Sequence, residues 1–198
     1  MTDKASERET TFDNLYREKG DPWDVTTSDY ERTKFAATIA SLPSGRHFRS
    51  VLDLGCSFGT LTQKLARRSD QVTAIDVSGE AIARARSELG NIARFERVEL
   101  PGGWPGDRYD LIVMSEILYF LSREEILQMA ANTERDLASN GLCLLVNWTG
   151  PSDLPLSGEH AAATFVESFQ SHRDHTLDAI EHEKFRIDLL KPREAPSL

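Results

Sequence analysis

The segment Val51-Leu52-Asp53-Leu54-Gly55-Cys56-Ser57-Phe58-Gly59-Thr60 runs from apolar, strand-favouring residues into two glycines, and apolar residues resume at helical spacing from Leu61 to Ala66. It reads as strand, tight glycine loop and helix, the first half of a nucleotide-binding βαβ unit. Gly55 and Gly59 suit places where backbone turns with positive φ, or lies against a ligand with no Cβ in the way. Two phosphate cradles are excluded by the neighbouring residues. A dinucleotide fingerprint wants further glycines where this chain has Ser57 and Thr60. A P-loop wants Lys-Ser or Lys-Thr after its last glycine, whereas Thr60-Leu61 follows Gly59. Asp53 places a carboxylate near the strand's carboxyl end, which suits a cation better than a phosphate.

Downstream, Val72 to Ile75 reads as a second strand ending at Asp76, which stands 21 residues after Gly55. That is close to the spacing at which an acidic residue meets ribose hydroxyls in nucleotide-binding βαβ units. Ser78 caps the next helix, whose buried stripe is Ala81, Ile82, Ala85 and Leu89. Ile92 to Val98 is a third strand, followed by Glu99-Leu100. Tyr109 to Met114 is a fourth, apolar throughout as a strand covered on both faces should be, and it ends in Ser115-Glu116-Ile117-Leu118-Tyr119. Ser122 opens a helix through Leu137, Asn140-Gly141 turns the chain, and Leu142 to Val146 is a fifth strand. His175 to Ile180 and Lys184 to Leu190 pair antiparallel at the sheet edge. The expected fold is therefore α/β: a Rossmann-like, doubly wound seven-stranded sheet, mostly parallel with an antiparallel edge strand. It forms a single domain over residues 1–198 with an N-terminal helical cap. Residues 1–45 make a helical arm or lid, and 149–170, rich in proline, glycine and serine before an amphipathic helix, a substrate-side insertion.

In the arm, residues 1 to 11 are charged and read as frayed, and a short helical turn follows through Phe12, Leu15 and Tyr16. Asp21-Pro22-Trp23-Asp24 delivers a tryptophan that suits an anchor for the arm and a lid over a ligand equally well. Ser28 and Glu31 form a capping box for a helix to about Ser41, on which Tyr30 and Lys34 share a face of the kind that is usually solvated. Trp104 reads as a hydrophobic plug.

The chain has 198 residues, 39% of them hydrophobic, with 32 acidic against 23 basic residues and a formal charge of -9. One buried domain is the expectation, and the acidic balance disfavours nucleic acid and anionic membrane as partners. No signal peptide or spanning segment is evident, which points to the cytoplasm. Cys56 and Cys143 read as reduced thiols, Cys56 as a small packing residue rather than a nucleophile. His160 reads as a surface residue. His172, His175 and His182 fit no zinc pattern and read as a solvated edge, so no metal is expected.

Asp53, Asp76, Glu99 and Glu116 follow four successive strands and would ring one end of the sheet, a negative field that favours a sulfonium and an ammonium over a pyrophosphate. Glu116 or Tyr119 is placed to take a proton from an amine, directly or through water.

The pattern Asp-x-Gly-x-x-x-Gly-x-Leu resembles motif I of the class I S-adenosylmethionine-dependent methyltransferases. Together with Asp21-Pro22-Trp23, Tyr30-Glu31-Arg32, Ser115-Glu116-Ile117-Leu118-Tyr119-Phe120 and the loop from Trp148, it resembles the nodulation protein S family over most of residues 12 to 190. The resemblance implies S-adenosylmethionine as cofactor, S-adenosylhomocysteine as product, and N-methylation of a free amine, in that family a glucosamine of a lipo-chitooligosaccharide. It implies cofactor roles for Asp53, Gly55, Cys56, Ser57, Gly59, Asp76 and Val77, and adenine contacts for Glu99 and Leu100. Ser115 is a further cofactor candidate, and Trp23, Tyr30 and Arg32 are candidates for the methionine end. The acceptor is expected to be a small molecule. An O-methyltransferase, or a module that binds the cofactor without turnover, is the alternative, and the oligomeric state is left open.

Overall fold

The computed structural model describes residues 6–193. Helices α1 (Glu7–Lys19) and α2 (Asp29–Ser41) precede β1 (Phe48–Leu54), α3 (Thr60–Ala66), β2 (Ser69–Asp76), α4 (Gly79–Leu89), β3 (Arg94–Arg97) and β4 (Tyr109–Ser115). Then come α5 (Arg123–Asp136), β5 (Leu137–Trp148), α6 (Gly158–Gln170), β6 (His175–Glu181) and β7 (Phe185–Pro192). The seven strands lie in the order β3-β2-β1-β4-β5-β7-β6. Strands β1 to β5 pair in parallel, and β7 runs antiparallel to both β5 and β6, so the antiparallel strand is second from the edge.

Continuous apolar strands bury both faces. Val51, Leu111, Val113, Leu144 and Val146 face a core closed by Phe35 of α2, Leu61 and Leu65 of α3, and Ile82 and Ala85 of α4. Leu52, Leu54, Ile112, Met114, Cys143 and Leu145 face the other, closed by Ile126 and Met129 of α5 and Phe165 and Phe169 of α6. The order of strands reverses between β1 and β4, where the loops leaving their carboxyl ends part and open a crevice.

Several local readings change. Residues 1 to 5 of the supposedly frayed stretch lie outside the described residues, but Glu7 to Thr11 belong to α1, capped by Ser6. Arg8 anchors that turn, donating to the Leu100 carbonyl at 3.0 Å and to both Glu125 oxygens at 2.9 Å. Ser28 caps α2, yet Glu31 does not complete a capping box, because its carboxylate is taken by Lys34; the full box is at Ser122 and Glu125. Asn140-Gly141 is no turn: Tyr109 pairs with Leu137 and Leu111 with Leu142, so the surplus residues form a bulge inside β5. His175 is buried, edge-on to Phe169 at 5.2 Å, and not part of a solvated edge. Trp104 packs into the second core and its indole donates to Asp136 at 2.9 Å. Both thiols are free and buried, and burial pushes them up, away from nucleophilic use. No helix among the described residues is long and apolar enough to cross a membrane.

Candidate active site

A cavity of about 790 Å³ opens at the carboxyl ends of β1, β2 and β4, in the size range of ligand pockets, and α1, α2 and the loop after β5 wall it. One end is the glycine loop. Gly55 has φ +75°, and a Cβ there would lie 2.0 Å from the Ile117 side chain, so only glycine lets the β1 loop pass beneath the β4 loop. Both Gly55 and Cys56 donate to the Ile75 carbonyl, at 2.8 and 2.9 Å. Gly59, at φ +80°, serves packing, since a Cβ there would meet Leu89 at 2.6 Å and Phe95 at 3.1 Å, and it does not line the cavity.

Asp53 lies under this loop, buried, accepting from Thr62 Oγ1 at 2.6 Å. Burial pushes its carboxyl up to about 6, with Asp76 adding to the rise and the Thr62 bond opposing it. A folded-state pKa above the unfolded value means that the folded chain binds the extra proton, so stability increases as pH falls from about 6 towards 4. Asp53→Asn should remove that slope: wild type is expected to gain on the order of 2 kcal/mol relative to the variant between pH 7 and 4, read by urea unfolding. Equal slopes in the two proteins would contradict the burial argument.

Asp76, at the end of β2, accepts from the Ser57 N–H at 2.9 Å and the Ser78 N–H at 2.9 Å. Burial raises its pKa, and those backbone bonds oppose the rise. Ser57, itself at φ 49°, receives the Tyr16 hydroxyl on its Oγ at 2.8 Å. Val77, Val98 and Leu100 add an apolar wall. Trp23, 38% exposed, stands edge-on to Tyr16 at 5.5 Å and tilted on Phe12 at 6.1 Å while also lining the cavity, so it anchors the arm and covers the site at once.

The other end is built on Glu116. Its φ is 59°, a region that a side chain-bearing residue rarely occupies and that is held only where the surroundings impose it. Three donors do so. Lys34 Nζ reaches Glu116 Oε1 at 2.8 Å, while Tyr119 Oη at 2.5 Å and the Trp148 N–H at 2.8 Å reach Oε2. Lys34 is only 3% exposed, and its ammonium also holds Glu31 Oε1 at 2.8 Å and stands 5.3 Å from the Tyr30 ring centroid. The polar face of α2 is thus inside the site and not solvated. Burial, then Glu116, keeps the Tyr119 phenol protonated, so it is a donor to Glu116 and not a base on its own. Tyr30 is likewise held protonated by burial and by Glu116 and Glu31; its ring is edge-on to Trp148 at 5.7 Å.

Of the residues singled out in the sequence, Trp23, Tyr30, Asp53, Gly55, Cys56, Ser57, Asp76, Val77, Leu100, Ser115, Glu116 and Tyr119 share this one cavity. Arg32 does not; it is exposed, donating to the Thr27 carbonyl at 3.0 Å and pairing with Asp29. Glu99 lies outside, 3.5 Å from Arg8 in a neighbouring hollow. The ring of four carboxylates is therefore weaker than expected, since Glu99 faces Arg8 outside the cavity and Glu116 faces Lys34. Lys34 and Glu31 were not foreseen as site residues; their three-residue spacing on α2 was the available signal. No group of side chains suited to hold a metal occurs among the described residues.

The family model for nodulation protein S (NodS) matches residues 9–145. Nodulation protein S of Azorhizobium caulinodans is 30% identical over 123 residues, covering 61% of this chain and 59% of that protein. Its counterpart from Rhizobium tropici is 32% identical over 124 residues, covering 61% and 52%. The matched region thus spans little more than half the length of these relatives. A solved structure from Pseudomonas syringae assigned to the methyltransferases is 30% identical, covers 82% of this chain and 98% of its own, and superposes with a TM-score of 0.70. The N-methyltransferase NodS of Bradyrhizobium japonicum WM9, solved with S-adenosyl-L-homocysteine, is 20% identical, covers 93% and 99%, and gives a TM-score of 0.75, which speaks for a shared fold. On the match over residues 9–145, the chain belongs to the nodulation protein S (NodS) family.

Proposed function

We propose that the chain is an S-adenosylmethionine-dependent methyltransferase acting on the amino group of a small molecule. The observation that carries this reading is that one cavity joins Asp76 and the glycine loop to Glu116, Tyr119 and Trp148. The cofactor fits the first end in size and chemistry. Asp76 would take the ribose hydroxyls, Val77, Val98 and Leu100 would flank the adenine, and Gly55, Cys56 and Ser57 would lie along the methionine portion. S-adenosylmethionine, when bound, supplies an electrophilic methyl group on a positively charged sulfur. Of the N-terminal arm, residues 6–45 act as the lid, with α1 and Trp23 excluding water, and 149–170 shape the acceptor side through Pro151, Ser152 and Leu154.

The chain's own task is to orient an amine and receive its proton. The Tyr119 proton is committed to Glu116, which leaves the phenol oxygen's lone pairs free to accept an amine N–H. As the substrate's ammonium form gives up a proton to Tyr119 Oη, Tyr119 can pass its own to Glu116 Oε2 across the existing 2.5 Å bond, and the nitrogen lone pair is free to attack. A carboxylate lies far closer in basicity to an amine than to an alkoxide, so relaying a proton from an ammonium is much easier than from an alcohol. That supports N- over O-methylation. A panel of primary amines, amino sugars included, with matched alcohols and tritium-labelled methyl donor, tests this: turnover is expected on amines alone. Turnover confined to alcohols, or tight cofactor binding with no turnover on any acceptor, would count against it.

A further inference from the structure

The acceptor end holds more carboxylate than cation. Glu31 and Glu116 share the single ammonium of Lys34, each at 2.8 Å, and Arg8, the other cation lining the cavity, is spent on Glu125 and the Leu100 carbonyl. Glu31 is buried and its carboxylate turns away from the helix start into the cavity wall, so it is not there as a cap. Nor does binding Lys34 need it, because Glu116 alone would pair that charge. The surplus is one negative charge beside the place where the reacting groups meet.

We infer that Glu31 is a specificity-determining residue: with Lys34 already shared, it leaves this end of the cavity one negative charge in excess, which favours the sulfonium of S-adenosylmethionine over the neutral thioether of S-adenosylhomocysteine. The inference rests on the methyl-donor reading above. Methyl transfer moves the positive charge from the sulfur to the acceptor nitrogen, so S-adenosylhomocysteine keeps none of the attraction between the surplus carboxylate and the sulfonium.

Calorimetric titration of both compounds into wild type, Glu31→Gln and the double variant Glu31→Gln/Lys34→Met tests it without any acceptor. Glu31→Gln neutralises the site, and the affinity for S-adenosylmethionine should fall about tenfold more than that for S-adenosylhomocysteine. The double variant leaves Glu116 alone, restores one negative charge, and should restore the preference. An unchanged ratio in Glu31→Gln, an equal loss of both ligands, or no restoration in the double variant would overturn the inference and leave the methyltransferase reading standing. If wild type binds neither compound, the cavity assignment fails and the inference with it.

Discussion

Lys34→Met is expected to destabilise the folded chain by about 3–5 kcal/mol, the cost of removing one partner from a buried ion pair. The side chains of Lys34 and Glu31 are 4% and 7% exposed, and Glu116 depends on the same ammonium. Taking the cation away leaves two carboxylates facing each other in the cavity wall, Glu31 among them buried, and methionine fills the volume without supplying a charge. Glu116 would also lose one of the three bonds that hold its positive φ. The midpoint of urea denaturation at constant slope measures the loss. Since Glu31 and Glu116 repel each other once the ammonium is gone, adding Glu31→Gln to Lys34→Met should recover part of it, a coupling that independent sites would not show. A loss below about 1 kcal/mol would mean that the pair is solvated, and the buried network would have to be abandoned.

Asp76→Ala should act on two levels. Its carboxylate satisfies the Ser57 and Ser78 N–H groups, and each buried donor left without a partner costs about 1–3 kcal/mol. The same carboxylate is placed to receive the ribose hydroxyls, so affinity for S-adenosylmethionine should fall by at least about tenfold. Asp76→Asn separates the two effects. The amide keeps one acceptor oxygen, so stability should partly return while affinity stays low. Calorimetry on both variants gives the answer, and wild-type affinity in Asp76→Ala would remove Asp76 from the cofactor site.

The fold was legible because its signals are local and strong. Four apolar strand runs, two glycines with no phosphate signature around them, and Asp76 at its spacing are enough to order a parallel sheet and to place its ligand end. The structure alone supplies what depends on distant partners. Arg8 looks like one more charge in a polar stretch until Glu125 and the Leu100 carbonyl are beside it. Lys34 reads as a solvent-facing lysine because helical spacing shows Glu31 and not Glu116, which comes from the far side of the crevice 82 residues later. Glu99 shows the mirror case. Its position after β3 is right for a ligand contact, yet its side chain turns outward to Arg8. Asn140-Gly141 has turn chemistry, and the pairing of β5 with β4 absorbs it as a bulge.

A crystal structure grown with S-adenosylmethionine shows whether the crevice between β1 and β4 holds a positively charged adenosine compound without phosphate. The expected result has the ribose hydroxyls on Asp76, the adenine between Val77 and Leu100, and the sulfur turned toward Glu116 and Tyr119. A crevice left empty at saturating ligand, or one that takes a diphosphate dinucleotide in its stead, would contradict it.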